Sequence, residues 1–517
     1  MSVLRLQREF CFALACIVTV VFANAGSAAE TDQRPNIVIF LVDDMGIMDT
    51  SVPFLTDAAG VAKKYPLNEY YRTPNMERLA ASGIRFNQFN AMSVCSPSRI
   101  SIHTGQNAAR HRATNWINLG GNNAGPFGPP AWNWEGLKKK DVTLARLLQK
   151  AGYRTIHIGK AHFGPGEAAY PQEIGFDVNV AGAGMGRPAS YYSEDHFGHQ
   201  PRGKNAKPNP NSVPDLDKYY DSGLFLTEAL TQEAKTHVTQ AVEEKRPFFL
   251  HMSHYAVHGP FQSDPRFADH YPEDSERPNS PKFATLIEGM DKSLGDLLDH
   301  LEKLGVAENT FILFLGDNGS DAPRNDEHGI SSSAPLRGKK GTHYEGGTRT
   351  PFIASWGKPN ELNPLQKSLP VASGGIQPQL ASICDIFPTL LDINQIPNPE
   401  GHQIDGSSLR TLLTGQPDAH HAKTFLMHYP HKHRSSYFTT YRDGPWKVIY
   451  HYLPSKESED KRYQLFHLEN DPAEQNNLAE SHPEDLRRLM QGLVTALEEH
   501  QALYPVKDGN ELKPRLP

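Results

Sequence analysis

The sequence predicts an α/β protein: a mostly parallel central sheet sandwiched between helices, with a smaller C-terminal α+β subdomain that contains an antiparallel sheet. Three observations carry this expectation. Four apolar runs rich in β-branched and aromatic residues recur before residue 320, each the length of a buried strand and each ending in polar groups. Helical patterns lie between them, the mark of a sheet covered on both faces. From about residue 410 the pattern changes to strand, turn, strand, and then a closing amphipathic helix.

The 517 residues suffice for two or more domains, or for one large α/β domain with an appendage. A hydrophobic fraction of 38% fills a large core, and nothing signals global disorder. The formal net charge of −7 argues against nucleic acid as the main partner. It leaves an anionic small substrate open, because local cations can dominate a cleft.

Taken in order, the chain opens "MSVLRLQREFCFALACIVTVVFANAGSAAE". Arg5 and Arg8 precede an apolar run from Phe10 to Phe22, and Ser27 and Ala29 fit a small-residue cleavage site. Residues 1–29 therefore read as a secretory signal peptide, and the expected location is exported, periplasmic or secreted. The run is short for a membrane span, and no later segment is long and apolar enough to insert stably. Cleavage removes Cys11 and Cys16 and leaves Cys95 and Cys384, so disulfides do not build this fold, although one Cys95–Cys384 bridge stays open.

The first strand pattern is "NIVIFLVDD" over 36–44, which ends in Asp43 and Asp44. "IRFNQFNAM" reads as a further strand, and "CSPSRISIHTG" then opens a helix with Ser96 as N-cap and Pro97 at its first position. Residues 112–136, with Trp116, Trp132 and Trp134, and residues 181–221 are polar stretches rich in Gly and Pro. Long loops of this kind often rim active sites. The tryptophans either stack on sugar faces or pin their loop. Between these loops, 141–151 reads as a helix stopped by Gly152, and 153–162 as a strand ending in Lys160 and His162. Residues 247–258 form a third strand pattern, with His254 and His258 at its end. A helix at 285–304 leads to the fourth, 310–319, which ends in Asp317 and Asn318. In parallel sheets ligands bind beyond the carboxyl ends of strands. Four such ends of complementary chemistry define a candidate site. The domain reading is a signal peptide at 1–29, a main domain at 30–410 and a C-terminal subdomain at 411–517.

Cys95 falls at a helix N-terminus, where backbone N–H groups favour an anion, with Arg99 in the first turn. Alone, this describes a reactive thiol of low pKa. The four hard oxygen donors Asp43, Asp44, Asp317 and Asn318 suit Ca²⁺ or Mg²⁺ and do not suit thiolate chemistry.

"CSPSRISIHTG" resembles the signature of type I sulfatases, Cys-x-Pro-Ser-Arg followed by Thr-Gly. "LVDDMG", "GKAHFG", "AVHGP", "GDNGS" and "LRGKKGTHYEGGTRTPFI" are similar, in family order, to further motifs of that family, and the likeness spans roughly 34–480. The resemblance implies an alkaline-phosphatase-like fold and a sulfuric ester hydrolase whose Cys95 is oxidised to formylglycine. It implies that Asp43, Asp44, Asp317 and Asn318, together with the modified Cys95, bind one Ca²⁺ in preference to Mg²⁺. It also implies that Arg99 and Lys160 stabilise the aldehyde hydrate, and that Lys160, His258 and Lys340 bind the sulfate oxygens. His258 or Lys340 would protonate the leaving alcohol, and His162 would take the proton that releases sulfate. The resemblance also implies Lys340 and not Lys339, through the family's spacing to Glu345-Gly346-Gly347. The implied partners are a sulfated mono-, oligo- or polysaccharide and a maturation enzyme, either formylglycine-generating or anaerobic sulfatase-maturating. "GFDVNVAG" and "SYY" add a faint analogy to bacterial carbohydrate sulfatases.

Two alternatives stand beside this reading. One is a phosphodiester or phosphonate monoester hydrolase of the same superfamily. The other is a non-catalytic binder of sulfated glycans, which would require a defective site. His254 reads either as structural or as functional and is left out of the site set, and Cys384 reads as a small buried hydrophobe.

Overall fold

The computed structural model describes residues 34–517 apart from 201–208, 274–278, 324–332 and 455–460. The expected signal peptide lies outside the described residues. Eight strands form the central sheet: β1 (Asn36–Val42), β2 (Ile84–Phe86), β3 (Arg154–Gly159), β4 (Val178–Val180), β5 (Phe248–Ser253), β6 (Thr310–Gly316), β7 (Phe352–Trp356) and β8 (Gly375–Gln377). Their spatial order is β4-β3-β5-β1-β6-β7-β2-β8. All neighbours pair parallel except β7, which runs antiparallel to both β6 and β2. The four strand patterns read from the sequence are β1, β3, β5 and β6, side by side at the centre.

The alternation of side chains along β1 explains the two layers. Ile37, Ile39 and Leu41 face one core, shared with α1 (Cys95–Thr104), α2 (Leu144–Lys150) and, further along the chain, Ile386–Ile393. Val38, Phe40 and Val42 face the other core, shared with α3 (Leu226–Glu243) and α4 (Pro281–Lys303). Strands buried on both faces read as continuous apolar runs, which is why these four are legible in the sequence.

Near the C-terminus β9 (Thr424–Lys432), β10 (Ser436–Asp443), β11 (Trp446–His451) and β12 (Tyr463–His467) form an antiparallel sheet in sequence order. One face, with Phe425, Met427, Phe438, Ile449 and Phe466, joins the core under α1. The other, with Val448, Tyr450 and Leu465, is covered by the helix Pro483–Glu499 through Leu489, Met490 and Leu493. Residues Arg34–Pro517 form one unit. Among the described residues no helix is long and apolar enough to cross a membrane.

Candidate active site

The register brings the strand ends to one edge, since Val42 pairs with Gly316, Leu41 with Ser253, and Ser253 with Gly159. Backbone hydrogen bonds then fix the residues just past those ends. The Asp43 N–H donates to the Ala256 carbonyl at 2.9 Å, Asp317 N–H to Val42 at 3.2 Å, and Lys160 N–H to Ser253 at 2.8 Å. The Cys95 and Lys340 loops are pinned to the same place. Gly341 N–H donates to the Ser93 carbonyl at 2.8 Å, and Lys340 N–H to the Ser320 carbonyl at 3.0 Å.

Cys95 is the first residue of α1, two positions earlier than Ser96 capping would give, and the extended Val94 is the N-cap. The expected cap is spent elsewhere: the Ser96 hydroxyl accepts the Ile117 N–H at 3.0 Å, tying the 112–136 loop to the helix. Cys95 and Cys384 are both buried and free, so the bridge left open by the sequence is absent. Burial pushes the Cys95 thiol up despite Lys160 and Lys340, so this environment does not make the low-pKa thiolate that the helix N-terminus suggested.

Three carboxylates and three cations interlock around it, all buried. Lys160 Nζ lies 2.6 Å from Asp43 Oδ2, and Lys340 Nζ lies 2.6 and 2.7 Å from the two Asp44 oxygens. Arg99, fully enclosed, donates Nε to Asp317 Oδ2 at 2.7 Å and Nη1 to Ser253 Oγ at 2.7 Å and the Lys160 carbonyl at 2.9 Å. Burial opposes ionisation of Asp44, yet Lys340, His258 and Lys160 hold its carboxyl well below the usual range. Burial pushes Asp43 up, only partly offset by Lys160.

The oxygens left over test whether a cation fits. Asp43, Asp44 and Asp317 each offer an oxygen, all within 4.8 Å of one another. Asn318 Nδ2 donates to Asp44 Oδ1 at 3.0 Å. Asn318 Oδ1 is buried without a hydrogen-bond partner among the described residues, and Asp43 Oδ1 has Arg99 Nη2 at 3.6 Å, beyond hydrogen-bond reach, so both acceptors are left for a further positive group to satisfy. An all-oxygen set with two orphaned acceptors fits a hard divalent cation.

The two histidines differ. His162 Nε2 lies 2.8 Å from the Ile117 carbonyl, which can only accept, so Nε2 carries the hydrogen and Nδ1 keeps a lone pair with no partner among the described residues. Burial, then Lys160, pushes the ring well down, and it is neutral. His258 donates Nδ1–H to the Gly259 carbonyl at 2.8 Å and sets Nε2 3.5 Å from Asp44 Oδ2. His254 turns away: its Nε2 is 3.0 Å from Ser293 Oγ of α4, inside the second core. Lys339 lies 3.6 Å from Asp321 with its side chain 23% exposed, whereas Lys340 enters the cluster.

Cys95, His162, His258 and Lys340 line a cavity of about 710 Å³. Both Gly/Pro-rich loops reach it, through Trp116 and Asn118 on one side and Arg187 and Asn211 on the other. Trp132 does not: it is buried, with its indole N–H on Asn122 Oδ1 at 2.7 Å, and serves to pin the loop. Trp134 packs partly buried against the first core. His433 and Arg434, from the β9–β10 turn, and Asp321 also line the cavity. Sequence reasoning missed these three and Ser253. The cationic turn "HKHRSS" was the available signal, but nothing local ties it to a strand end some 120 residues away.

A buried ion cluster holds the segment that bears Lys340 against the C-terminal sheet. Lys447 Nζ of β11 lies 2.9 Å from Glu345 Oε1 and 2.8 Å from Glu474 Oε1, and the Glu345 N–H donates to Glu474 Oε2 at 2.6 Å. Arg349 donates Nε to Glu345 Oε2 at 2.9 Å.

A model of the sulfatase family matches residues 35–396, and one described as N-sulphoglucosamine sulphohydrolase, C-terminal, matches 339–502. The chain is 32% identical to mouse N-acetylgalactosamine-6-sulfatase over 78% of this chain and 71% of that one. It is 26% identical to an N-acetylgalactosamine-6-O-sulfatase of Bacteroides thetaiotaomicron, over 89% and 92%. The crystal structure of a sulfatase from Pseudoalteromonas sp. superposes with a TM-score of 0.65 at 23% identity, covering 91% of this chain and 92% of that one.

Proposed function

The chain belongs to the sulfatase family, and from that premise we propose that it removes sulfate from a sulfated carbohydrate, using a formylglycine made from Cys95 and a bound Ca²⁺. The observation that carries the reading is the meeting, in one buried cluster, of Cys95, three paired cations and two orphaned oxygen acceptors. A galactosamine-type 6-sulfate is the first substrate to try, because two of the relatives named above are an N-acetylgalactosamine-6-sulfatase and an N-acetylgalactosamine-6-O-sulfatase.

Asp43, Asp44, Asp317 and Asn318 would hold the cation, and the eight-or-fewer oxygen coordination of Ca²⁺ suits such a set better than the stricter Mg²⁺. A cation there supplies Lewis acidity toward a sulfate oxygen and lowers the pKa of a hydroxyl beside it. A formylglycine at position 95 would supply the oxygen nucleophile toward sulfur.

The chain's own residues do the rest. The three carboxylates and the three cations of the cluster cancel, so a divalent ion gives the site a net positive charge for an anionic substrate. Lys160, His258 and Lys340 bind the sulfate oxygens. Arg99 keeps Asp317 and the Lys160 backbone in place while its Nη2, 3.6 Å from Asp43 Oδ1 and without a hydrogen-bond partner among the described residues, serves position 95. His162 Nδ1 is the free lone pair that accepts the proton which releases sulfate. The proton for the leaving alcohol comes from His258 or Lys340: both line the cavity, but burial pushes the His258 ring down to about 3, whereas Asp44 beside Lys340 helps hold its ammonium proton on. We assign maturation to a formylglycine-generating or anaerobic sulfatase-maturating enzyme, and an exported location to the mature chain.

The test is a desulfation screen on defined mono- and oligosaccharide sulfates, alongside p-nitrophenyl sulfate and phosphate esters. Release of sulfate, lost on chelation and restored by Ca²⁺, is expected. Dominance of phosphate or phosphonate ester hydrolysis would replace this reading with that of a phosphoryl-type hydrolase of the same superfamily.

A further inference from the structure

The cations of the cavity are not equivalent. Lys340 is spoken for by Asp44. Arg434 lies fork to fork on Asp321, with Nη2 3.0 Å from Oδ2, and donates Nη1 to the Lys340 carbonyl at 3.3 Å. His433 adds no charge, since burial and the adjacent Arg434 push it down to about 4. Arg187 is exposed and, among the described residues, has no carboxylate or carbonyl partner.

Its position is nevertheless fixed. A Cβ added at Gly186 would fall 2.6 Å from His162 Cε1, and one at Gly184 would fall 2.9 Å from the Gly164 carbonyl. These close approaches set the 182–187 backbone against the catalytic strand end, so Arg187 leaves the main chain immediately beside His162. Trp116 offers an aromatic face in the same cavity, and Asn118 and Asn211 offer neutral amides. The scissile sulfate belongs at the inner end, by Cys95 and Lys340. A planar guanidinium free to form paired hydrogen bonds beside that end matches a second oxyanion.

We propose that Arg187 is a specificity-determining residue that binds a second anionic group of the same glycan, a carboxylate or a further sulfate ester. This rests on the carbohydrate sulfatase reading above. It predicts a preference for acidic glycans over singly sulfated neutral sugars.

Steady-state kinetics test it with three substrates: a singly sulfated neutral hexose, the same sugar bearing a second sulfate, and a sulfated disaccharide with a uronate. The wild type is compared with Arg187→Gln and Arg187→Lys. On whichever doubly anionic substrate the site recognises, Arg187→Gln is expected to raise KM about tenfold or more, as for loss of a charged hydrogen bond, with kcat and the neutral-sugar KM unchanged. Arg187→Lys is expected to recover part of that loss. A response to the disulfated sugar alone identifies sulfate as the second group, and a response to the uronate alone identifies carboxylate. The thermal midpoint is expected not to move, since the side chain is exposed and unpaired. Equal KM changes on all three substrates, or none, would overturn the inference while leaving the sulfatase reading intact. Failure of the wild type on all three while it hydrolyses p-nitrophenyl sulfate would overturn both the carbohydrate reading and this one.

Discussion

His162 donates Nε2–H to the carbonyl of Ile117 at 2.8 Å, and this one hydrogen bond decides which nitrogen can take a proton. The lone pair is left on Nδ1. If His162 acts only in releasing sulfate, His162→Ala should still complete a first turnover. Stopped-flow mixing with p-nitrophenyl sulfate should then show a burst of about one equivalent of phenol per enzyme and a slow steady state. Equal slowing of both phases would remove His162 from that step.

The choice of acid can be read from the leaving group. An alkoxide needs a proton as it departs and a nitrophenolate scarcely does. Whichever of His258→Gln and Lys340→Met removes the acid should therefore lose about 10²- to 10⁴-fold on a sugar sulfate, but far less on p-nitrophenyl sulfate. If Lys340→Met shows that split and His258→Gln does not, the proton comes from Lys340.

Much of this site is legible in the amino-acid sequence. Asp43, Asp44, Lys160, His258, Asp317 and Asn318 follow apolar runs of buried-strand character, and parallel sheets gather such ends. What is not legible depends on non-local pairing. Local rules favour Ser96 as an N-cap, but the Ile117 N–H claims its hydroxyl and the helix begins at Cys95. Three tryptophans in one loop look alike in sequence, yet only Trp116 faces the cavity. His433 and Arg434 arrive from a sheet whose packing against the first core no local pattern encodes.

The Lys447 cluster predicts a stability effect. Lys447→Met would leave Glu345 and Glu474 facing each other without their shared cation, in a place closed to water. Chemical denaturation should show a loss of about 3–5 kcal/mol, the usual cost of breaking a buried pair from one side. Adding Glu474→Gln should recover part of it. If the double variant is as unstable as the single one, repulsion between the carboxylates is not the cause.

Asp49 predicts a pH effect. It is fully buried, and burial raises its carboxyl from 3.8 to about 7, against the hydrogen bonds it accepts from Ser320, Gly46 and Tyr71 and with a smaller push from Asp44. A raised folded-state pKa means the folded form holds its proton more tightly than the unfolded form. Its contribution is therefore complete below about pH 4 and is lost as pH rises through about 7. Asp49→Asn should flatten the fall in thermal midpoint between about pH 4 and 7. An unchanged slope would show that Asp49 ionises as readily folded as unfolded.

The most direct test of the account is the chemistry of position 95. Protein should be produced with and without a co-expressed formylglycine-generating enzyme, and the peptide bearing Cys95 analysed by mass spectrometry and labelled with an aldehyde-specific hydrazide. The account predicts that sulfate release rises in proportion to the fraction carrying the aldehyde and vanishes in Cys95→Ala. Undiminished desulfation by protein whose Cys95 is wholly an intact thiol would contradict it.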